Sequence, residues 1–188
     1  MPELRMHLVA CDTGTQDQIR RRFERDGVSV DATQRHADVP GTFTGRVPDV
    51  LLVDADLRRP RLNKALGLQG SSGLSNLLSG GGDIAAGVQP TSATGRCGMP
   101  SGPAPPNPAE LFHTERFTKF LEHMRSRYDR VIIDSPPIAA VTDPAVLSTL
   151  VDSTVLVVRA FKTRKELARH AVRVLRGVGG AIAGGVLN

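Results

Sequence analysis

An α/β fold, with a mostly parallel sheet and helices on both faces, is implied by three features of this chain. From Arg130 onward, short β-branched runs alternate with helical stretches, as in strands joined by crossover helices. The run Val50-Leu51-Leu52-Val53-Asp54 is apolar at successive positions, as expected of a strand covered on both faces. Val131-Ile132-Ile133-Asp134 is a second such run, and each ends in a carboxylate where a buried strand would meet solvent. In open α/β sheets, ligands collect at that carboxyl edge.

Taken in order, Met6–Ala10 is a short apolar strand. Thr15 to Asp26 follows as a helix, with Ile19 and Phe23 on one face and Gly27 as its stop. Val28–Ala32 reads as another strand, and residues 33–49, with Pro40, Gly41, Gly45 and Pro48, as loop. After the strand at 50–54, Pro60 suits the first turn of a helix running to about Leu66. Gly73–Leu78 is a second short helix, stopped by Gly80-Gly81-Gly82. Residues 87–108, rich in Gly, Pro, Ser and Thr, form the longest irregular stretch. From Pro108 to Arg127, Leu111, Phe112, Phe117, Phe120, Leu121 and Met124 keep the spacing of one helix with a core-facing stripe. The last elements are a strand at 130–134, a helix at 144–150, a strand at 154–158, a helix at 164–176 and a strand at 181–187.

A length of 188 residues fits a single domain, 1–188, with a substantial core. No apolar run approaches the roughly 20 residues of a membrane span, and the N-terminus has no signal-peptide pattern. Cys11 and Cys97 are too few for a disulfide framework or a zinc site, which points to a reducing cytoplasm. The five histidines lack metal-ligand spacing. The net charge of +5 is carried mostly by arginine, clustered at Arg20-Arg21-Arg22 and Arg58-Arg59-Pro60-Arg61. No aromatic residue is interleaved among these arginines, so a stacking platform for nucleic acid is not expected.

Five segments occur in the order found in one known group. They are Val50–Pro60, Gly73-Leu74-Ser75-Asn76-Leu77-Leu78-Ser79-Gly80, Pro105-Pro106-Asn107-Pro108-Ala109-Glu110-Leu111, Tyr128–Pro137 and Gly184–Asn188. From Val50 onward the chain resembles the bacterial tyrosine kinases of capsule and exopolysaccharide synthesis, within the P-loop ATPases that include the partitioning ATPases. The resemblance implies a three-layer P-loop NTPase-like fold, ATP and Mg²⁺ as cofactors, and phosphoryl transfer to tyrosine. It implies a membrane-embedded polysaccharide co-polymerase or activator as partner, self-association into a homo-oligomer, and a place at the inner face of the membrane reached through that partner. By the same resemblance Asp54 and Asp56 sit near the γ-phosphate, where a carboxylate orients or deprotonates the attacking hydroxyl. Arg58 offsets phosphate charge, and Asp134 together with Asp56 serves the metal. Asn188 matches an asparagine that meets the adenine; a plain chain terminus accounts for it equally. Asp143, in Val141-Thr142-Asp143-Pro144, reads as a helix cap.

The pattern breaks at residues 1–46, which carry no family likeness. The family's Gly-Lys-Ser/Thr loop should lie after the first strand, where this chain has Ala10-Cys11-Asp12-Thr13-Gly14-Thr15-Gln16-Asp17. No lysine anywhere follows a glycine: Lys64, Lys119, Lys162 and Lys165 follow Asn63, Thr118, Phe161 and Arg164. Two aspartates stand where phosphate must approach, so ATP binding is expected to be weak or absent. The kinases' C-terminal tyrosine cluster is not present either, and the only tyrosine, Tyr128, is expected to pack. A truncated or frame-shifted kinase product and a pseudo-enzyme both fit these departures. The competing functions are a regulatory partner of an intact kinase, a partitioning-type ATPase relative, and a receiver-like domain with Asp54 as phospho-acceptor.

Overall fold

In a computed structural model, which describes residues 5–9, 29–33, 49–81, 83–92 and 95–188, strand β3 (Val50–Asp54) forms the middle of a four-stranded sheet. Leu51 and Val53 are fully buried, which accounts for the dense apolar spelling of this strand. β3 pairs in parallel with β5 (Arg96–Met99) on one side and with β6 (Arg130–Asp134) on the other. A two-residue strand, β4 (Gln89–Pro90), closes the sheet antiparallel to β5. A second sheet has the order β2-β1-β8-β7, all parallel. Its strands are β1 (Arg5–Val9), β2 (Ser29–Thr33), β7 (Thr154–Val158) and β8 (Ile182–Leu187). The chain divides into two compact units, 43–147 around the first sheet and 1–42 with 148–188 around the second.

In the unit around β3, helix α1 (Leu62–Leu66) ends at Gly67, whose left-handed φ of 68° turns the next amide, that of Leu68, back onto the Asn63 carbonyl at 2.8 Å. Helix α2 (Leu74–Leu78) is docked onto the segment that precedes Pro105. The Leu74 and Ser75 amides bond the carbonyls of Pro100 and Ser101, and the Ser75 hydroxyl donates to Pro103 O at 2.7 Å. This leaves no room at Gly73, where a Cβ would overlap the Pro100 carbonyl oxygen. A four-residue helix, α3 (Ile84–Gly87), leads into β4.

The helix expected from Pro108 to Arg127 is instead two, α4 (Pro108–Leu111) and α5 (Glu115–Arg127). Thr114 causes the break: its backbone is extended, and its hydroxyl donates to Leu111 O at 2.7 Å while accepting from Phe117 N. Phe117, Phe120, Leu121 and Met124 of α5 are buried, and Phe112 meets Phe117 edge-on at 5.2 Å between ring centroids. Tyr128, half-buried just past α5, has its phenol pKa raised by burial and by the Cys97 thiol it bonds. Helix α6 (Asp143–Leu150) leads toward the second unit. There, α7 (Lys165–Gly177) buries Ala171 and Leu175, one turn apart, while its remaining faces are largely exposed or half-buried.

Expected strand and helix limits from 50 onward agree with these to within a residue or two. The irregular stretch at 87–108 is an exception beside the divided helix, since β4 and the sheet-interior strand β5 lie inside it. The helix expected at 15–26 and most of the loop at 33–49 lie outside the described residues. Among the described residues, no helix is long and apolar enough to cross a membrane. Gly73→Ala is expected to lower unfolding stability by about 1–3 kcal/mol, because backbone rather than a flexible side chain must move. Urea denaturation of the two proteins measures it.

Candidate functional site

The parallel register of β3 and β6 places Asp54 opposite Asp134, and the Ala55 amide bonds the Asp134 carbonyl at 2.8 Å. Two residues far apart in the chain thus end their strands side by side at the carboxyl edge. Directly after Asp54 the chain folds back on itself through its own carboxylates. Asp54 Oδ1 accepts from the Asp56 amide at 3.1 Å, and Oδ2 from those of Arg61 and Leu62 at 3.2 and 3.0 Å. Asp54 therefore caps the start of α1 from seven and eight residues away. Asp56 repeats the device, with Oδ1 accepting from the Arg58 and Arg59 amides at 3.2 and 2.9 Å. Ala55 and Leu57 are buried between these turns.

Arg58 has a carboxylate partner within the same unit. Its Nε and Nη2 donate to the Asp143 carboxylate at 3.0 and 3.4 Å, a two-point ion pair. The Asp143 side chain is fully buried, whereas that of Arg58 is 41% exposed. Bonding to Asp143 raises the Arg58 pKa above its ordinary value. Asp143 thus has a partner 85 residues away in sequence, in addition to its place at the start of α6.

The carboxylates shape one another's titration. Burial pushes the Asp54 pKa up from 3.8, against three backbone N–H bonds that pull it down, and the Asp56 charge adds to the rise. Asp134 is raised as well, first by desolvation and then by the charges of Asp54 and Asp56. Asp134 is an exposed residue overall, yet its carboxyl end is sheltered enough to feel both neighbours. Such crowding of like charge is what a cation would relieve. Asp54 has both oxygens committed to amides, but the bonds to Asp56 fall on Oδ1 alone. Among the described residues, no three His, Cys, Asp or Glu side chains form a ready-made metal cage. Mg²⁺ does not need one, since one or two carboxylates, waters and phosphate oxygens satisfy it. The donor set of Asp56 and Asp134 fits that demand.

Asp54, Asp56, Arg58 and Asp134 all lie in the unit around β3, whereas Asn188 belongs to the other. Asn188 is no frayed end: its amide bonds Val158 O at 2.8 Å and its carbonyl accepts from Ala160 N at 2.7 Å. The stretch from Ala10 to Asp17 lies outside the described residues.

No family model matches the chain. It is 44% identical over 119 residues to the tyrosine-protein kinase Wzc of Salmonella typhi, a match covering 63% of this chain and 17% of that protein. It is 33% identical over 152 residues to the putative tyrosine-protein kinase CapB of Staphylococcus aureus, covering 81% of this chain and 67% of that one. The chain thus spans only about a sixth of Wzc. The VpsO kinase domain superposes with a TM-score of 0.72 at 28% identity, over 99% of this chain and 84% of that domain. The septum site-determining protein MinD of Pyrococcus horikoshii, complexed with Mg-ADP, superposes at 0.61 with 18% identity over 99% of this chain and 70% of its own, a likeness of fold. The fold is therefore α/β of the P-loop NTPase type, with mostly parallel strands.

Folding raises the pKa of Asp54 and of Asp134, so the folded chain holds protons that the unfolded chain has released. Their effect on stability is therefore most favourable below 3.8, and it is lost as pH rises through the raised values. Asp134→Asn is expected to stabilise the fold at pH 7 by a few tenths to about 1 kcal/mol, a gain limited by solvent screening. It should also flatten the decline in stability above that range. Thermal melts of both proteins from pH 4 to 7 measure this.

Proposed function

Because this chain belongs to the family of bacterial tyrosine-protein kinases, we propose that its Asp54–Arg58 loop and Asp134 form the cation end of an ATP site. In this reading it is a kinase-family protein of polysaccharide assembly whose ATP turnover is depressed by the lack of a Gly-Lys-Ser/Thr loop. One observation carries the proposal: the register that puts Asp54 beside Asp134, with Asp56 next to both.

The roles divide by what each side chain is already doing. Asp54, bonded to three amides, holds the loop's shape. Asp56 and Asp134 would hold Mg²⁺, directly or through water, and Asp56 would also orient an attacking tyrosine hydroxyl. When bound, the metal would neutralise charge on the phosphate oxygens. Asn188 is assigned to the adenine on resemblance alone. What the chain does not supply is the ammonium that meets the β- and γ-phosphates, and its absence costs orders of magnitude in rate.

The same missing lysine favours a second reading, a non-catalytic partner of an intact kinase or of its membrane-embedded activator. Such a protein would act at the inner face of the membrane, and the family's oligomerisation would carry over as homo-oligomers. Equilibrium dialysis against labelled ATP with Mg²⁺ decides on activity. Dissociation constants in the millimolar range, with no labelled tyrosine, are expected; micromolar binding would contradict the impaired site. Recovery of an intact tyrosine kinase with the tagged chain would support the regulatory reading.

A further inference from the structure

The pairing of Arg58 with Asp143 raises the question of what the rest of the guanidinium is for. Arginine has five N–H donors in a planar fork. Asp143 takes one from Nε and one from Nη2. The other three make no bond among the described residues, and the side chain is 41% exposed. One edge of the fork is thus fixed against a buried carboxylate, and the opposite edge faces outward. The backbone of the same residue is fixed as well, by the bond from its amide to Asp56 Oδ1.

We propose that Asp143 is a positioning residue: it holds Arg58 side-on so that the outward edge of the guanidinium meets a phosphate group bound at the Asp56–Asp134 cation site. This deepens the proposed function and rests on it. A loosely held arginine beside Asp56 would fold onto that carboxylate and weaken the cation site. Engaged by Asp143 it cannot do so fully, and the fork keeps two to three donors for phosphate oxygens. Asp143 touches no ligand in this arrangement and acts entirely through Arg58. A buried carboxylate at this position also explains why lysine would not substitute, since a single ammonium cannot present two edges to two anions.

The test uses the full chain, labelled with ¹⁵N, and inorganic pyrophosphate with Mg²⁺ as the probe. The Arg58 Nε–H resonance is identified by its loss in Arg58→Lys. It is expected to exchange slowly with solvent in the unmodified protein and to shift on titration with pyrophosphate. In Asp143→Asn it should exchange rapidly, and pyrophosphate affinity should fall roughly tenfold, the loss of one charge-assisted contact. Arg58→Lys keeps the charge without the fork, leaves the fold less at risk, and should show a similar loss. An Nε–H signal unmoved by pyrophosphate, or unchanged affinity in either variant, would overturn the proposal. The Asp134 amide reports separately on Mg²⁺ alone. If it shifts with Mg²⁺ while Arg58 ignores pyrophosphate, the positioning role falls and the cation site stands. If it does not shift, the cation site falls, and Arg58 is still judged by its own signal.

Discussion

Asp54 is a fully buried carboxylate whose two oxygens are shared among three backbone amides, and the rest of the site is built outward from it. Because the amides belong to Asp56, Arg61 and Leu62, one side chain fixes where β3 ends, how the next turn closes and where α1 begins. Burying a carboxylate without such partners would be prohibitive. With them, the loop has a defined shape before any ligand arrives. Asp56 then inherits a fixed position and itself anchors the next two amides.

The electrostatic result is an edge where the carboxylates of Asp54, Asp56 and Asp134 act on one another. Of the loop's arginines, Arg58 is engaged by Asp143, and Asp134 is crowded by Asp54 and Asp56. Crowding of this kind reduces stability, as sites prepared for a cation often do. A divalent ion with phosphate oxygens would reverse the repulsion. No lysine in the sequence follows a glycine.

Much of this could be read from the residues. Val50–Asp54 and Arg130–Asp134 spelled strands ending in acids, and their alignment at one edge follows from parallel pairing. β5 was not legible because Arg96-Cys97-Gly98-Met99 has neither β-branching nor alternation; its place depends on Leu68 packing where Gly98 has no side chain. The break between α4 and α5 was missed because Thr114 keeps helical spacing with its neighbours, and only its hydroxyl bonds reveal a cap. Asp143 was legible only as a helix cap before a proline. Its bond to Arg58 spans 85 positions and leaves no periodic trace.

Paramagnetic Mn²⁺, titrated into the ¹⁵N-labelled chain, tests directly whether acids distant in the polymer share one cation. At low occupancy, line broadening should begin at the amides of Ala55, Asp56 and Ser135 and be lost in Asp134→Asn. Broadening centred elsewhere, or none at millimolar Mn²⁺, would contradict the account.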